Sequence, residues 1–479
     1  MQPVPLKPIR TRLLVSLLPL WFVSCTPVGP NYTCPDVILP ATYVEATMTD
    51  ANQTAPSLAA WWEAFRDPEL SSLIAEAQQN NADLHIAVAH LREARALQGV
   101  AASGKSLTVN ASGSVSRRRE SETGSLGPAL QRGLMPTDYD LYQAGLDAAW
   151  EIDLFGGGRR GVEAATDVTE ARLETLRDIR VSLQAEVAIQ YLALRLAQQQ
   201  QIVIERLLEN RQENLELLQK KANLSIATQL DVAAAEGQVQ AIQSQLPSLR
   251  QAQRTCIYRL AVLLAAKPAD LLQRLASPSD LPDANVMVSI GIPADLLRRR
   301  PDIRQAEREL AAATARVGMA QADLYPSLTL TGTFGWTTTD LANLNATDSA
   351  FGGIGPGLRV PLFNAGRLRQ RVKVADAQTE AALAAYEKTL HTAVGDVETA
   401  LVAYREDTQR LDTLAALATS QEKTFDMANR LFDKGLLDRP SILAAQIPLL
   451  NTANDQLTAR TQRTTHLIQL IKALGGSWE

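Results

Sequence analysis

Two long stretches of the chain combine helical spacing of apolar residues with an almost complete lack of glycine and proline. Residues 162–236 contain neither, and residues 367–434 contain a single glycine. Apolar residues in the first stretch recur in steps of three, four or seven, at Leu176, Ile179, Leu183, Val187 and Leu194. This spacing is typical of long helices that pack side by side. Further along, Pro247 predicts a kink.

Four shorter segments alternate between apolar and polar residues, as strands with one apolar face do. They cover residues 106–116, 142–152, 327–336 and 350–360. Because the segments follow each other in pairs, we predict two β-hairpins. The fold class is therefore predicted to be mainly α with a small β part.

The order of these elements occurs twice, which indicates a tandem duplication. Leu154-Phe155-Gly156-Gly157-Gly158-Arg159 follows the second strand, and Leu362-Phe363-Asn364-Ala365-Gly366-Arg367 follows the fourth. Both motifs open a long helix. We predict joints between strand and helix at Phe155 and Gly158 in the first copy, and at Phe363 and Gly366 in the second.

The repeat also predicts where the first long helix reverses. Gly435 to Pro440 is a plain turn signal in the second copy. Gly435 aligns with Ser225, so we expect the first copy to turn within residues 222–228 although it has no glycine there.

The four strands of one chain are too few to close a bilayer barrel, so further copies of the chain are needed. Bilayer barrels start near about eight strands, and open strand edges are not tolerated in lipid. Two copies would supply eight strands and a barrel filled by side chains, whereas three would supply twelve and a channel. The polar faces would then line water, the apolar faces would meet lipid, and the long helices would continue the tunnel.

The N-terminus is predicted to be an export signal. Residues 1–24 contain basic residues followed by an apolar run, and they end just before Cys25. The sequence around Cys25 resembles the bacterial lipobox, in which the cysteine becomes the first residue and is acylated. We therefore expect a lipid on Cys25; the alternative is an ordinary signal peptide with an unrelated cysteine. Thr26, in place of aspartate, favours the outer membrane by resemblance to lipoprotein sorting.

Composition narrows the class of protein. The net charge of −5 disfavours a nucleic-acid partner. A mean hydropathy of −0.09 argues against a polytopic helical membrane protein.

The chain is predicted to contain two repeats flanked by short segments. The predicted boundaries are a signal peptide at 1–24, an extended tether at 25–60, the first repeat at 61–275, a linker at 276–292, the second repeat at 293–474, and a tail at 475–479.

Several motifs resemble the TolC family, and most closely its OprM/NodT-like outer-membrane efflux lipoproteins. They are the lipobox, Trp61-Trp62-x-x-Phe65-x-Asp67-Pro68, Leu296-Leu297-x-x-Arg300-Pro301-Asp302-Ile303-Arg304, Leu324-Tyr325-Pro326-Ser327-Leu328, Val360-Pro361-Leu362-Phe363 and Leu474-Gly475-Gly476-Ser477-Trp478. The resemblance implies a homotrimer with a twelve-stranded outer-membrane β-barrel and a periplasmic α-helical barrel. It further implies an exit duct coupled through a periplasmic adaptor to an inner-membrane transporter of the RND type.

In that family the periplasmic helical turns form the gate and contact the adaptor. The matching positions here are Ser225, Thr228, Asp231, Leu431, Phe432, Gly435, Asp438 and Pro440. Close relatives carry Arg-Tyr where this chain has Leu431 and Phe432. We hypothesise that apolar packing of these two residues contributes to the closed state.

Other functions are less well supported by the sequence. Residues 156–161 fit the dinucleotide motif G-x-G-x-x-G, but the second copy lacks it and no βαβ alternation surrounds it. No cluster at metal-ligand spacing and no catalytic constellation is found, so we predict neither a cofactor nor an enzyme. The alternatives are a non-conducting periplasmic coiled-coil lipoprotein (an adaptor or scaffold) and a type I secretion channel.

Overall fold

The computed structural model describes residues 26–37, 40–45, 58–124, 127–282 and 296–476. Within these ranges the protein is mostly helical, with one small sheet, as the sequence predicts. The predicted leader and the acylation site Cys25 lie outside the described residues. So do parts of the tether and of the linker, and the last three residues of the tail.

The described residues form eleven α-helices and four strands, besides short 3₁₀ helices. In chain order they are α1 (Pro68–Asn80), α2 (Ala82–Ser103), β1 (Thr108–Arg119), α3 (Gly127–Gln131), β2 (Asp138–Ile152), α4 (Gly157–Asn223), α5 (Gln229–Gln243), α6 (Gln245–Leu263), α7 (Pro268–Arg274), α8 (Leu296–Arg299), α9 (Pro301–Ala322), β3 (Ser327–Thr338), β4 (Ala350–Arg359), α10 (Arg367–Asp433) and α11 (Arg439–Ala473).

The two long helices have the same length. α4 and α10 each contain 67 residues, which corresponds to about 100 Å at the rise of an α-helix. α4 ends at Asn223 and α5 begins at Gln229, so the reversal predicted from the repeat is confirmed. The helix predicted to kink at Pro247 is interrupted at Ser244. Proline lacks the amide that would bond to the carbonyl four residues earlier, which explains the break just before it.

The sheet contains four antiparallel strands in the order β1-β2-β3-β4. Its register pairs Leu146 of β2 with Ala111 of β1 and with Phe334 of β3, and pairs Phe334 in turn with Gly352 of β4. Residues paired directly across strands share a face. The two predicted hairpins are therefore joined into one sheet, whose outer strands β1 and β4 have free edges within the protomer.

The described chain divides into two compact units. The first comprises the described parts of residues 1–34, 94–169 and 308–383 and contains the sheet. The second comprises the described parts of 35–93, 170–307 and 384–479.

The second unit has a hydrophobic core around the middle of α4. Val187, Tyr191 and Leu194 of α4 are fully buried, as are Leu70 and Leu260 of neighbouring helices. α1 is well placed for this packing because Asp67 caps it: its carboxylate accepts hydrogen bonds from the amides of Glu69 (2.9 Å) and Leu70 (3.1 Å). The helix start predicted at Asp67-Pro68 is confirmed.

Arg300, which belongs to the motif of residues 296–304, connects three helices of this second unit. Its guanidinium is 11% exposed and donates to the carboxylates of Asp302 (2.7 Å) and Asp396 (3.2 Å) and to the carbonyl of Ala473 (3.1 Å). These partners lie on α9, α10 and α11. A buried guanidinium needs such partners to offset its desolvation, which gives the Arg300-Pro301-Asp302 motif a structural role.

Some elements differ from the prediction. Pro268 opens the short helix α7 near the end of the first predicted repeat, which the sequence analysis did not identify. The loop of the first hairpin contains the short helix α3. β1 extends three residues beyond the predicted end, since Arg117, Arg118 and Arg119 pair with residues 138–140 of β2. None of the described helices has an apolar stretch long and uncharged enough to cross a bilayer.

Candidate functional site

The sheet has one apolar face that is exposed in the single chain. The register places the exposed apolar residues of all four strands on this face, namely Val109, Val115, Leu146, Trp150, Phe334, Ile354 and Leu358. Ile354 is 81% exposed and Val115 is 71% exposed. The opposite face carries polar residues such as Ser112, Thr331 and Thr333. An exposed apolar surface of this extent marks a contact with lipid or with another protein.

Each strand pair passes into its long helix through a glycine in the left-handed region. Gly156 has φ +82° and precedes α4, and Gly366 has φ +81° and precedes α10. Of the residues predicted at the joints, Gly366 is this glycine, whereas Gly158 is already the second residue of α4. The structural equivalent of Gly366 is therefore Gly156. The motif alignment paired Gly366 with Gly158, two residues further along the chain.

The two predicted aromatic residues of the joints have different surroundings. The ring of Phe155 stacks on that of Tyr325, with centroids 4.6 Å apart and planes inclined by 19°. Phe363 is 90% exposed. The first joint is thus closed by packing within the protomer, and the second presents its aromatic side chain outward.

The first joint also binds the segment that follows Cys25. The Arg160 side chain is 4% exposed and donates to the carbonyls of Val28 (3.2 Å) and Gly29 (3.3 Å) and to the side-chain oxygen of Asn31 (2.7 Å). The amide of Val28 donates to the carbonyl of Phe155 (3.0 Å). We call this interaction the Arg160 clasp. Sequence reasoning missed it, since its acceptors are mainly backbone carbonyls.

The two helical turns have the same backbone hydrogen bonds. In the first turn the amide of Ser225 donates to Ala222 and that of Ile226 donates to Lys221; in the second, Gly435 donates to Phe432 and Leu436 donates to Leu431, all at 2.8 or 2.9 Å. This pattern is the Schellman motif, which places one residue in the left-handed region. Ser225 (φ 61°) takes the position that Gly435 (φ 71°) takes in the second turn.

The helices that follow the two turns are capped by different residue types: a threonine before α5 and an aspartate before α11. Before α5, the hydroxyl of Thr228 accepts from the amide of Asp231 (3.2 Å), and the Asp231 carboxylate accepts from the Thr228 amide (2.9 Å). Before α11, the carboxylate of Asp438 accepts from the amide of Ser441 (3.2 Å). Both pairs begin a helix immediately after the turn.

Charge pairs connect the first turn region to the second. Lys221, at the end of α4, lies 3.2 Å from the Asp438 carboxylate. Arg439, at the start of α11, donates to both carboxylate oxygens of Glu213, at 2.5 and 2.9 Å. The predicted residue Asp438 is thus brought to the other turn, whereas Asp231 bonds only within its own cap. Lys221, Glu213 and Arg439 were not predicted, although their complementary charges near both turns were a visible signal.

These contacts lower the pKa values of three carboxylates. The backbone amide and the hydroxyl of Thr228 lower the pKa of Asp231. The hydroxyl of Ser441, followed by the ammonium of Lys221, lowers the pKa of Asp438. The guanidinium of Arg439 lowers the pKa of Glu213. All three groups are therefore ionised at neutral pH.

Both turns also expose large apolar side chains. Leu224, Ile226 and Leu436 are each 71% exposed, and Leu230 is 77% exposed. Leu431 and Phe432 are 41% and 40% exposed. Exposed leucine and isoleucine at the tips of otherwise polar helices indicate a contact surface.

Comparison with known proteins decides the family. The family model described as Outer membrane efflux protein matches residues 73–266 and 292–476. This chain belongs to the outer membrane efflux protein family. The predicted resemblance to the TolC family is confirmed.

Relatives of this outer membrane efflux protein match it over nearly its whole length. Nodulation protein T of Rhizobium leguminosarum bv. viciae is 28% identical over 472 residues, covering 98% of this chain and 94% of its own. The solvent efflux pump outer membrane protein SrpC of Pseudomonas putida is 32% identical over 440 residues, with 90% of each chain covered. The solved structure of the outer-membrane channel OprN has a TM-score of 0.85 at 31% identity and covers 94% of this chain.

The two faces of the sheet and the two helical turns are consistent with an outer membrane efflux protein. The apolar sheet face suits lipid, the polar face suits water, and the turns expose both charged and apolar groups. The predicted efflux channel is confirmed by the family and its relatives. The alternative of an adaptor or scaffold is not supported, because relatives matching most of the chain are outer-membrane components.

Proposed function

We propose that this outer membrane efflux protein is the homotrimeric exit duct of a tripartite pump. The observation that carries the proposal is the sheet: four strands with one exposed apolar face and free edges at β1 and β4. In lipid each free edge requires a partner strand. Three copies joined β4 to β1 supply twelve strands, enough for a water-filled lumen.

The lumen side follows from the register. Thr329, Thr331 and Thr333 of β3 lie on the face opposite Phe334, and their partners on β4 are Gly357, Gly355 and Gly353. Hydroxyls and glycines make this face polar and unobstructed. A passive duct of this kind needs no catalytic group, and we propose no enzymatic activity.

The helical turns are the proposed gate and adaptor surface. Leu224, Ile226, Leu230 and Leu436 supply apolar area, while the Lys221–Asp438 and Arg439–Glu213 pairs hold the two turns of one protomer together. The partners that fit are a periplasmic adaptor and, through it, an inner-membrane transporter of the RND type. Such an interface combines an apolar centre with a polar rim.

The proposed membrane attachment includes acylation at Cys25. The Arg160 clasp supports this proposal, because it holds Val28, only three residues after the cysteine, against the first strand–helix joint. An acyl chain on Cys25 would therefore be held close to the end of β2. Labelled palmitate should mark the wild-type protein in cells and should not mark Cys25→Ser.

The duct is tested on purified full-length protein. In detergent we expect a mass of three chains by light scattering, heat-modifiable migration on gels, and ion conductance in planar bilayers. Leu146→Asp and Ser114→Asp form a matched pair on β1–β2, because Ser114 is exposed on the polar face opposite Gln143. The first variant places a charge on the lipid face and should prevent membrane insertion, whereas the second should insert normally. A monomer in detergent, or equal insertion of both variants, would contradict the proposal.

The gate is tested at Phe432. If the apolar side chains of Leu431 and Phe432 pack together in the closed trimer, Phe432→Ala should raise the open probability of single channels. Met427→Ala is the control, because Met427 lies on α10 five residues earlier and is 63% exposed. A Phe432→Ala channel as closed as wild type would rule out this role.

A further inference from the structure

A cavity of 780 Å³ lies in the first unit, where strand ends meet the first turns of α4 and α10. Its lining contains five cationic side chains against three acidic ones. The cationic residues are Lys105, Arg316, Arg359, Arg367 and Arg371, and the acidic residues are Glu151, Asp153 and Asp323. The excess of positive charge contrasts with the net charge of −5 of the whole chain.

Most of these cations have no carboxylate partner among the residues that the structure describes. Asp153 is paired with Arg159, which lies outside the lining. Asp323 lies 3.8 Å from Arg371, and both side chains are more than half exposed. Among the described residues, no carboxylate oxygen lies within 4.0 Å of the charged nitrogens of Arg316, Arg359 or Arg367. Their charge is therefore available to a ligand.

Helix stability does not explain the cations on α10. The helix begins Arg367-Leu368-Arg369-Gln370-Arg371, and its first turn has no acidic residue. The helix dipole places partial positive charge at this end, so each added cation destabilises the helix instead of stabilising it. A bound anion would offset this cost.

The strand register shows which way the cavity opens. Arg359 of β4 pairs directly with Ser327 of β3, so both lie on one face. The neighbouring Leu358 is on the other, apolar face and is 67% exposed. The cavity therefore borders the polar face of the sheet, which is the proposed lumen side.

We propose that this cavity binds soluble anions carrying phosphate or carboxylate groups as they pass through the duct. Guanidinium groups bind such oxygens with paired, charge-assisted hydrogen bonds. The volume is in the range of small-molecule sites, about 300–1,000 Å³. This inference rests on the proposed function in one respect: the duct is what brings the anion to the cavity through the lumen. Three protomers would form a ring of such sites at the junction of barrel and helical tunnel.

The first test is electrical. The double variant Arg359→Gln/Arg367→Gln removes two lining charges, and Arg369→Gln is the matched control, because Arg369 is exposed on the same helix turn but does not line the cavity. Across a tenfold KCl gradient we expect the ratio of potassium to chloride permeability to rise about threefold or more in the double variant. It should stay at the wild-type value in Arg369→Gln.

The second test is binding, which does not require a working channel. Equilibrium dialysis of radiolabelled inorganic phosphate against detergent-purified protein at low ionic strength should show affinity about tenfold weaker in the double variant. Heat-modifiable migration confirms that each variant is folded; if the double variant fails this check, Arg316→Gln replaces it. If phosphate affinity differs between wild type and the double variant but no variant, nor the wild type, conducts ions, the duct is contradicted and the anion site is supported.

Two results would overturn the site. Equal phosphate affinity in wild type, the double variant and Arg369→Gln would show that the cavity does not select anions. The second result would be binding of a lipid headgroup in place of a soluble anion. If native mass spectra show phosphatidylglycerol retained by wild type from vesicles of phosphatidylglycerol and phosphatidylethanolamine, but not by the double variant, while free phosphate binds neither, the cavity holds a lipid headgroup.

Discussion

Replacing Arg160 by alanine should release the segment that follows Cys25. The Arg160 guanidinium makes hydrogen bonds to Val28, Gly29 and Asn31 and an ion pair with Glu163 (2.8 Å). Hydrogen bonds of a charged group contribute about 1.5–3 kcal/mol each, and part of this offsets the desolvation of the buried guanidinium. We therefore expect the free energy of opening the clasp to fall by about 3 kcal/mol.

The assay is hydrogen–deuterium exchange read at residues 28–32. A loss of about 3 kcal/mol corresponds to roughly 100-fold faster exchange of the Val28 amide, which donates to Phe155 in the intact protein. Arg369→Ala is the control, because this exposed arginine lies in the first turn of α10, after the second joint and not the first. The expected change there is below about 1 kcal/mol.

The result that would refute the reasoning is an Arg160→Ala protein whose Val28 amide exchanges within about twofold of wild type. Gly318→Ala provides an independent check, because an added Cβ would lie 2.9 Å from the Arg160 side chain and 2.9 Å from the Val28 carbonyl. It should accelerate exchange at the same amides without removing any charge.

Three further outcomes follow from the turns and from α10. Gly435→Ala should destabilise by about 1 kcal/mol because its φ is +71°, whereas Gly395→Ala should stabilise by up to about 1 kcal/mol because nothing lies near its added Cβ; thermal unfolding would show the two shifts with opposite signs. Asp438 has a lowered pKa, so its contribution to stability is present above the pKa of an unfolded aspartate and is lost as pH falls through the lower folded value. Asp438→Asn should therefore flatten the acid limb of a stability–pH curve, by less than about 1 kcal/mol at this exposed site; an unchanged slope would contradict it. Glu213→Gln should leave Arg439 without its bidentate partner and speed proteolysis of the α10–α11 turn, and equal cleavage rates would exclude this role.

Much of the fold could be predicted from local pattern. Period-two alternation located all four strands, and the absence of glycine and proline located α4 and α10. The first turn was harder to predict, since Ser225 adopts a left-handed conformation that serine does not favour. It was predicted because the duplicated copy has Gly435 at the same place, and the Schellman hydrogen bonds show that serine adopts the same conformation there.

What could not be predicted depends on contacts between distant parts of the chain. Arg160 lies 132 residues from its acceptor Val28, and a backbone carbonyl has no sequence signature. The motif alignment paired Gly158 with Gly366, whereas the helices themselves start at Gly157 and Arg367, so that Gly156 takes the place of Gly366 in the structure. Helix α7 was not identified from the sequence, although proline, here Pro268, is a common first residue of a helix.

The equal lengths of α4 and α10 restrict how this chain can change in evolution. One residue inserted into either helix would rotate everything beyond it by about 100° and shift it by about 1.5 Å. Lys221 and Glu213 would then no longer meet Asp438 and Arg439 in the other repeat. We therefore expect a length change inside one helix to be tolerated only with a matching change in the other. Insertions in the loops avoid this constraint, and the connection between β1 and β2 is longer than that between β3 and β4.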